Sequence, residues 1–65
     1  MYGNLIAEMK KAKITQTRIA KLLQISNNSV SKKISGKFSF RADEMFAIQK
    51  EFFPDKTLEY LFTKN

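Results

Sequence analysis

The chain contains no cysteine and no histidine. Without cysteine nothing argues for disulfides or an oxidising compartment. Without either residue, zinc sites of the usual type and histidine-based triads are excluded. No apolar run approaches the roughly 20 residues of a membrane span, and the N-terminus lacks a signal-peptide core. The expectation is a soluble intracellular protein. One proline, two glycines and no low-complexity stretch leave nothing to divide the chain, so residues 1–65 are expected to form one domain without a second, ligand-sensing one. Acid is also missing over a long interval. Between Met9 and Ala42 lie Lys10, Lys11, Lys13, Arg18, Lys21, Lys32, Lys33, Lys37 and Arg41, with no Asp or Glu. From Asp43 onward, five acids face only Lys50, Lys56 and Lys64. A net charge of +6 distributed this unevenly draws in a polyanion and speeds the encounter.

What is present is enough apolar mass to fold. Hydrophobic residues make up 43% of the chain, six of them Phe. A domain this small buries only about 60% of its unfolded surface, so association or ligand binding is expected to add to its stability. The pattern predicts five short helices and no strand. Asn4 is the predicted cap of the first, which extends to about residue 12 with Leu5, Ile6 and Met9 inward. Ile14 enters the core, and Thr15 caps a second helix ending at Leu23. A third spans about 27–35 and stops at Gly36, where positive φ is needed. Phe38 and Phe40 are expected to pin the following loop to the body. The fourth helix covers about 42–53, with Asp43 and Glu44 in its first turn, where acids suit the helix dipole. Pro54 stops it, and a last helix, 58–62, follows a Thr57 cap. Leu5, Met9, Ile19, Ala20, Leu23, Val30, Ile34, Ile48 and Leu61 are the predicted core.

Residues 16–35, QTRIAKLLQISNNSVSKKIS, carry the functional signal. They read as two helices joined by a tight turn, and Ser26 can cap the second through its hydroxyl. That second helix has only Val30 and Ile34 as apolar anchors, stacked four apart on one face. Asn28, Ser31, Lys32 and Ser35 fall on the opposite face, with Asn27 at the tip. A helix held by two anchors and presenting amides, hydroxyls and lysine outward suits the major groove of DNA.

The stretch resembles the helix-turn-helix of the phage repressor and Cro (XRE) family. Gln16 opens the first helix, Ala20 holds its close-packed fifth position, Ile25 follows the turn and Val30 lies inside the second helix. Ser35-Gly36-Lys37 is similar to the family's exit, and FRADEMFAIQKEFF followed by TLEYLF resembles its last two helices, so the likeness covers about residues 4–62. The resemblance implies an all-α, compact, five-helix, lambda-repressor-like domain. It implies a transcriptional regulator, a repressor encoded by a phage or mobile element and acting in a prokaryotic cytoplasm. Such a protein would bind a palindromic double-stranded operator as a weak homodimer formed or strengthened on DNA, without cofactor, metal, small-molecule substrate or membrane.

By position, Asn27, Asn28, Ser31 and Lys32 would contact bases. Asn can bond adenine through N6 and N7, and Lys32 can reach a guanine. Asn27 has a competing use in bracing Gln16. Gln16, Lys37 and Ser39 match phosphate contacts, Ser35 joins them, and Thr15 and Thr17 lie where free helix N–H groups favour an anion. Lys33 turns to the flank, open to phosphate contact or solvation. Phe53, Leu58 and Phe62 are the expected dimer contacts, with core packing as their alternative. Two positions depart from the family pattern. Gln24 stands where Gly is usual, and Arg41 where a Ser or Thr cap is usual.

Other functions are weaker fits. Asp43 and Glu44 are adjacent on a helix and do not face each other, and a Ser31–Lys32 dyad lacks an evident pocket, so no enzyme is expected. A helix-turn-helix that targets a protein, of antitoxin or antirepressor type, is the main alternative. Acids in place of Lys32 and Lys37 would have favoured it. A basic amphipathic membrane binder built on residues 2–13 would need Leu5, Ile6 and Met9, which also serve the core.

Overall fold

Three helices end in the same way, and those endings set the path of the chain. The computed structural model describes residues 1–64. Helix α1 (Gly3–Ala12) stops at Lys13, α2 (Gln16–Leu23) at Gln24 and α3 (Asn27–Ser35) at Gly36, each in the left-handed region with φ of 58°, 59° and 95°. In each case the next N–H reaches back to a carbonyl five residues earlier: Ile14 to Met9, Ile25 to Ala20 and Lys37 to Lys32. This arrangement satisfies terminal carbonyls and reverses the chain within a few residues. After the first two stops an isoleucine turns inward, Ile14 fully and Ile25 partly.

The caps at the other ends follow the sequence closely. Thr15, Ser26 and Thr57 each accept, through the side chain, the N–H three residues on. Helix α4 (Ala42–Phe52) begins after Arg41 without a side-chain cap of the Ser or Thr kind. Glu44 closes that end instead, accepting the Arg41 N–H at 2.9 Å. Helix α5 is one turn, Leu58–Leu61. Asn4 is not the cap of α1. The helix starts at Gly3, and the Asn4 amide donates to the Tyr60 carbonyl at 2.9 Å, tying α1 to α5.

The five helices form an all-helical body of 26 × 22 × 22 Å, with no strand among the described residues. Helix α2 packs against α3 and α4, while α5 closes the body against α1 and α4. Leu5, Ile19, Val30, Ile48 and Leu61, one from each helix, are completely buried at the centre. Of the predicted core only Leu23 is half-buried. Three rings close one side: Tyr2, Phe40 and Phe62 meet edge to face with centroids 5.2–5.9 Å apart. Phe38 does not join them. The N–H groups of Lys37 and Phe38 both donate to the Lys32 carbonyl, at 3.0 and 3.2 Å. This turns Phe38 back along α3 before the chain reaches Phe40, and leaves it 49% exposed.

No described helix is long and apolar enough to cross a membrane.

Candidate nucleic-acid interface

Helix α3 is anchored from one side only. Val30 and Ile34 are buried, while Asn27, Asn28, Ser31 and Ser35 are exposed and Lys32 is half-exposed. Positions 28, 31, 32 and 35 form one strip along the helix. At its start the Ser26 hydroxyl accepts the Ser29 N–H at 3.1 Å and lies 3.0 Å from the Ser29 hydroxyl. The first turn is therefore ordered without using the strip.

The exposed side chains are not equally free. Asn27 donates to the Thr17 hydroxyl at 3.3 Å, across the turn between α2 and α3. It braces Thr17, one residue beyond Gln16. The Ser35 hydroxyl donates to the Lys32 carbonyl at 3.0 Å, within its own helix. Asn28 is exposed with no such bond to another described residue, so its amide keeps full donor and acceptor capacity. Lys32 places its ammonium 5.3 Å from the centroid of the Phe38 ring.

Lys33, expected on the flank and open to phosphate contact or solvation, is engaged within the chain. Its ammonium is 3.0 Å from a Glu44 carboxylate oxygen and 3.1 Å from the Ser39 carbonyl, with the side chain only 13% exposed. It also lies 5.9 Å from the Phe40 centroid. Because Glu44 also holds the Arg41 N–H, one carboxylate fastens the end of α3 to the start of α4. The sequence placed Lys33 on the flank, but it did not reveal that a partner eleven residues on would meet it there.

Apart from Lys11, the other cations of the acid-free segment fall into two groups. Arg41 pairs with Asp43 at 3.4 Å on the surface, and Arg18 lies 5.1 Å from the Phe52 ring centroid. Lys10, Lys13, Lys21 and Lys37 are exposed, and among the described residues no acid pairs with them. Lys10 and Lys13 stand beside Thr15 and Gln16 around an open hollow of about 440 Å³, floored by Ile6, Met9, Ile14 and Ile34. The first turn of α2 is thus next to two lysines as well as to α3. Thr15, Gln16 and Thr17 are all exposed there, and Lys37 and Ser39 are exposed at the other end of α3.

The three expected dimer residues differ in availability. Phe53 is 4% exposed and belongs to the interior, which leaves it almost no surface to offer a second copy. Phe62 is half-buried and engaged with Tyr2 and Phe40. Leu58 is half-buried on the one-turn helix α5. The exposed large hydrophobic side chain of α4 is instead Phe46, at 58%.

Glu8, on α1, is a buried acid. It accepts the Tyr60 hydroxyl at 2.8 Å and lies 3.7 Å from Lys11. The bond to Glu8, then desolvation and the carboxylate's charge, raise the Tyr60 phenol above its ordinary value of 10.0. Compared with family models, with curated proteins and with solved structures, the chain matches none.

Proposed function

We propose that the protein is a sequence-specific double-stranded DNA-binding regulator of lambda-repressor-like helix-turn-helix type. It would act as a repressor that occupies a palindromic operator as a dimer and excludes polymerase. The observation that carries this reading is the one-sided anchoring of α3. Two buried apolar residues hold a helix whose outward strip offers a free Asn28, Ser31 and Lys32, within a segment that contains no acid. Ordered polar groups on a rigid helix can read base edges at low ordering cost. Around them, exposed Lys10, Lys13, Thr15, Gln16 and Thr17 on one side, with Lys37 and Ser39 on the other, are suited to phosphates. Lys33 is left out of that set. Asn27 is a positioning residue in this reading, because its amide braces Thr17.

Selection from a random duplex pool, followed by anisotropy titration, tests the proposal. One duplex family should be enriched. Asn28→Ala should cost about 1–3 kcal/mol on the enriched duplex and little on random DNA. Equal loss on both would remove Asn28 as a base reader, and failure to enrich any duplex would remove the function.

A further inference from the structure

The face described above ends on a large aromatic ring that folding leaves outside the core. Phe38 is 49% exposed, although Phe40, two residues on, is buried in the aromatic cluster. Its backbone is held to the last turn of α3 by the bond from its N–H to the Lys32 carbonyl. The Lys32 ammonium is placed against the ring, 5.3 Å from its centroid. The strip of Asn28, Ser31 and Lys32 is thereby continued by an apolar surface flanked by exposed Lys37 and Ser39. In the major groove the one apolar feature of a base edge is the 5-methyl group of thymine.

Resting on the DNA-binding reading, we infer that Phe38 is a specificity-determining residue that packs on a thymine methyl at the end of the half-site reached by the last turn of α3. The ring and Lys32 act as a unit. The backbone bond fixes the point from which the ring projects, and the Lys32 contact favours its placement along α3, so less rotational freedom is lost when it meets the base. The lysine lies against it, 5.3 Å from the ring centroid, and would be left beside the neighbouring base pair.

Uracil, which differs from thymine only by that methyl group, isolates the contact. In the duplex enriched from the random pool, each thymine of the half-site is replaced singly by uracil, and binding is measured for the wild type, Phe38→Ala and Phe38→Leu. One position should weaken wild-type binding about 3- to 5-fold, the effect of losing one buried methyl. Phe38→Ala should bind the thymine duplex more weakly and be indifferent to uracil there, giving a coupled cycle. Phe38→Leu keeps an apolar contact and should retain part of the sensitivity. Because the side chain is exposed, both variants should unfold near the wild-type temperature. The inference is overturned if Phe38→Ala binds the enriched duplex as tightly as the wild type, if it keeps the same uracil sensitivity, or if it weakens every duplex equally. Those outcomes leave the DNA-binding reading standing as long as Asn28→Ala still discriminates. Failure to enrich any duplex overturns both.

Discussion

Gln24 and Gly36 occupy the same left-handed region, and the two positions predict opposite responses to substitution. Gln24 carries a side chain at φ 59°, so Gln24→Gly relieves strain but gives the unfolded chain more freedom. The net expected gain is about 0.5–1 kcal/mol, read as a rise in the thermal midpoint. A fall would mean that the strain at this turn is negligible. Gly36 lies at φ 95°, and an added Cβ would stand 3.0 Å from the backbone nitrogen of Met1. Gly36→Ala should therefore lose about 1–2 kcal/mol or more, since backbone strain and crowding act together. Lys33 and Lys37 form a second contrasting pair. Lys37→Ala should flatten the salt dependence of DNA binding by about one unit of log–log slope. Lys33→Ala should leave that slope alone and instead cost about 1–2 kcal/mol of stability, because it strips a poorly exposed Glu44 of its partner. An unchanged midpoint for Lys33→Ala, or a flattened slope, would return that lysine to the phosphate set.

Helices α1 and α5 are distant in sequence and are tied by two bonds that meet at Tyr60: its carbonyl takes the Asn4 amide, and its hydroxyl is given to Glu8. A helix of four residues cannot stand on propensity, so its place depends on Leu61, on the Thr57 cap and on these links. The phenol must be protonated to donate. Its folded pKa lies above the unfolded value, so its contribution is complete below pH 10.0 and is lost as pH rises through the raised value. Tyr60→Phe should have a lower midpoint than the wild type at neutral pH, and the gap should close in strongly alkaline buffer. A gap that stays constant across that titration would show that the hydrogen bond contributes nothing to holding α5. At the opposite side, α3 is fastened at both ends. Asn27 links its start to α2, and Lys33 links its end to α4. That double attachment holds α3 rigidly even though its own buried residues are only Val30 and Ile34.

With a longest extent of 26 Å, one molecule cannot reach two successive major-groove faces about 34–36 Å apart. On the proposed function a single α3 would read a few base pairs, so useful specificity would require two copies. The operator should be an inverted repeat with half-site centres about 10 base pairs apart. Inserting five base pairs turns the half-sites to opposite faces of the duplex and should abolish cooperative binding, with two chains per operator measured by sedimentation before the insertion. Unchanged affinity would mean independent monomers. Of residues 53, 58 and 62, folding buries Phe53 and engages Phe62 with Tyr2 and Phe40 within one chain, so they would offer a second copy less surface than the sequence suggested.

Much of this protein is decided by short-range chemistry that a linear reading captures. Thr15, Ser26 and Thr57 cap helices because a hydroxyl reaches the N–H three residues on, whatever surrounds it. Gly36 stops α3, and Val30 with Ile34 divide it into a buried and an open face, because both depend on spacing along one helix. The left-handed turn at Gln24 was signalled only by the resemblance, in which that position is usually Gly. Lys13, in an equivalent turn, carried no comparable mark, because nothing in its residue type signals a helix end. What only the tertiary structure decided are the pairings between distant segments. Asn4 has two uses within reach, and α5 determines that it crosses to Tyr60 and does not cap α1. Lys33 is an ordinary surface lysine until Glu44 is brought to 3.0 Å, and Phe38 and Phe40 are alike until the chain turns between them. Local periodicity sets which face a side chain occupies; what waits on that face is set by elements many residues away.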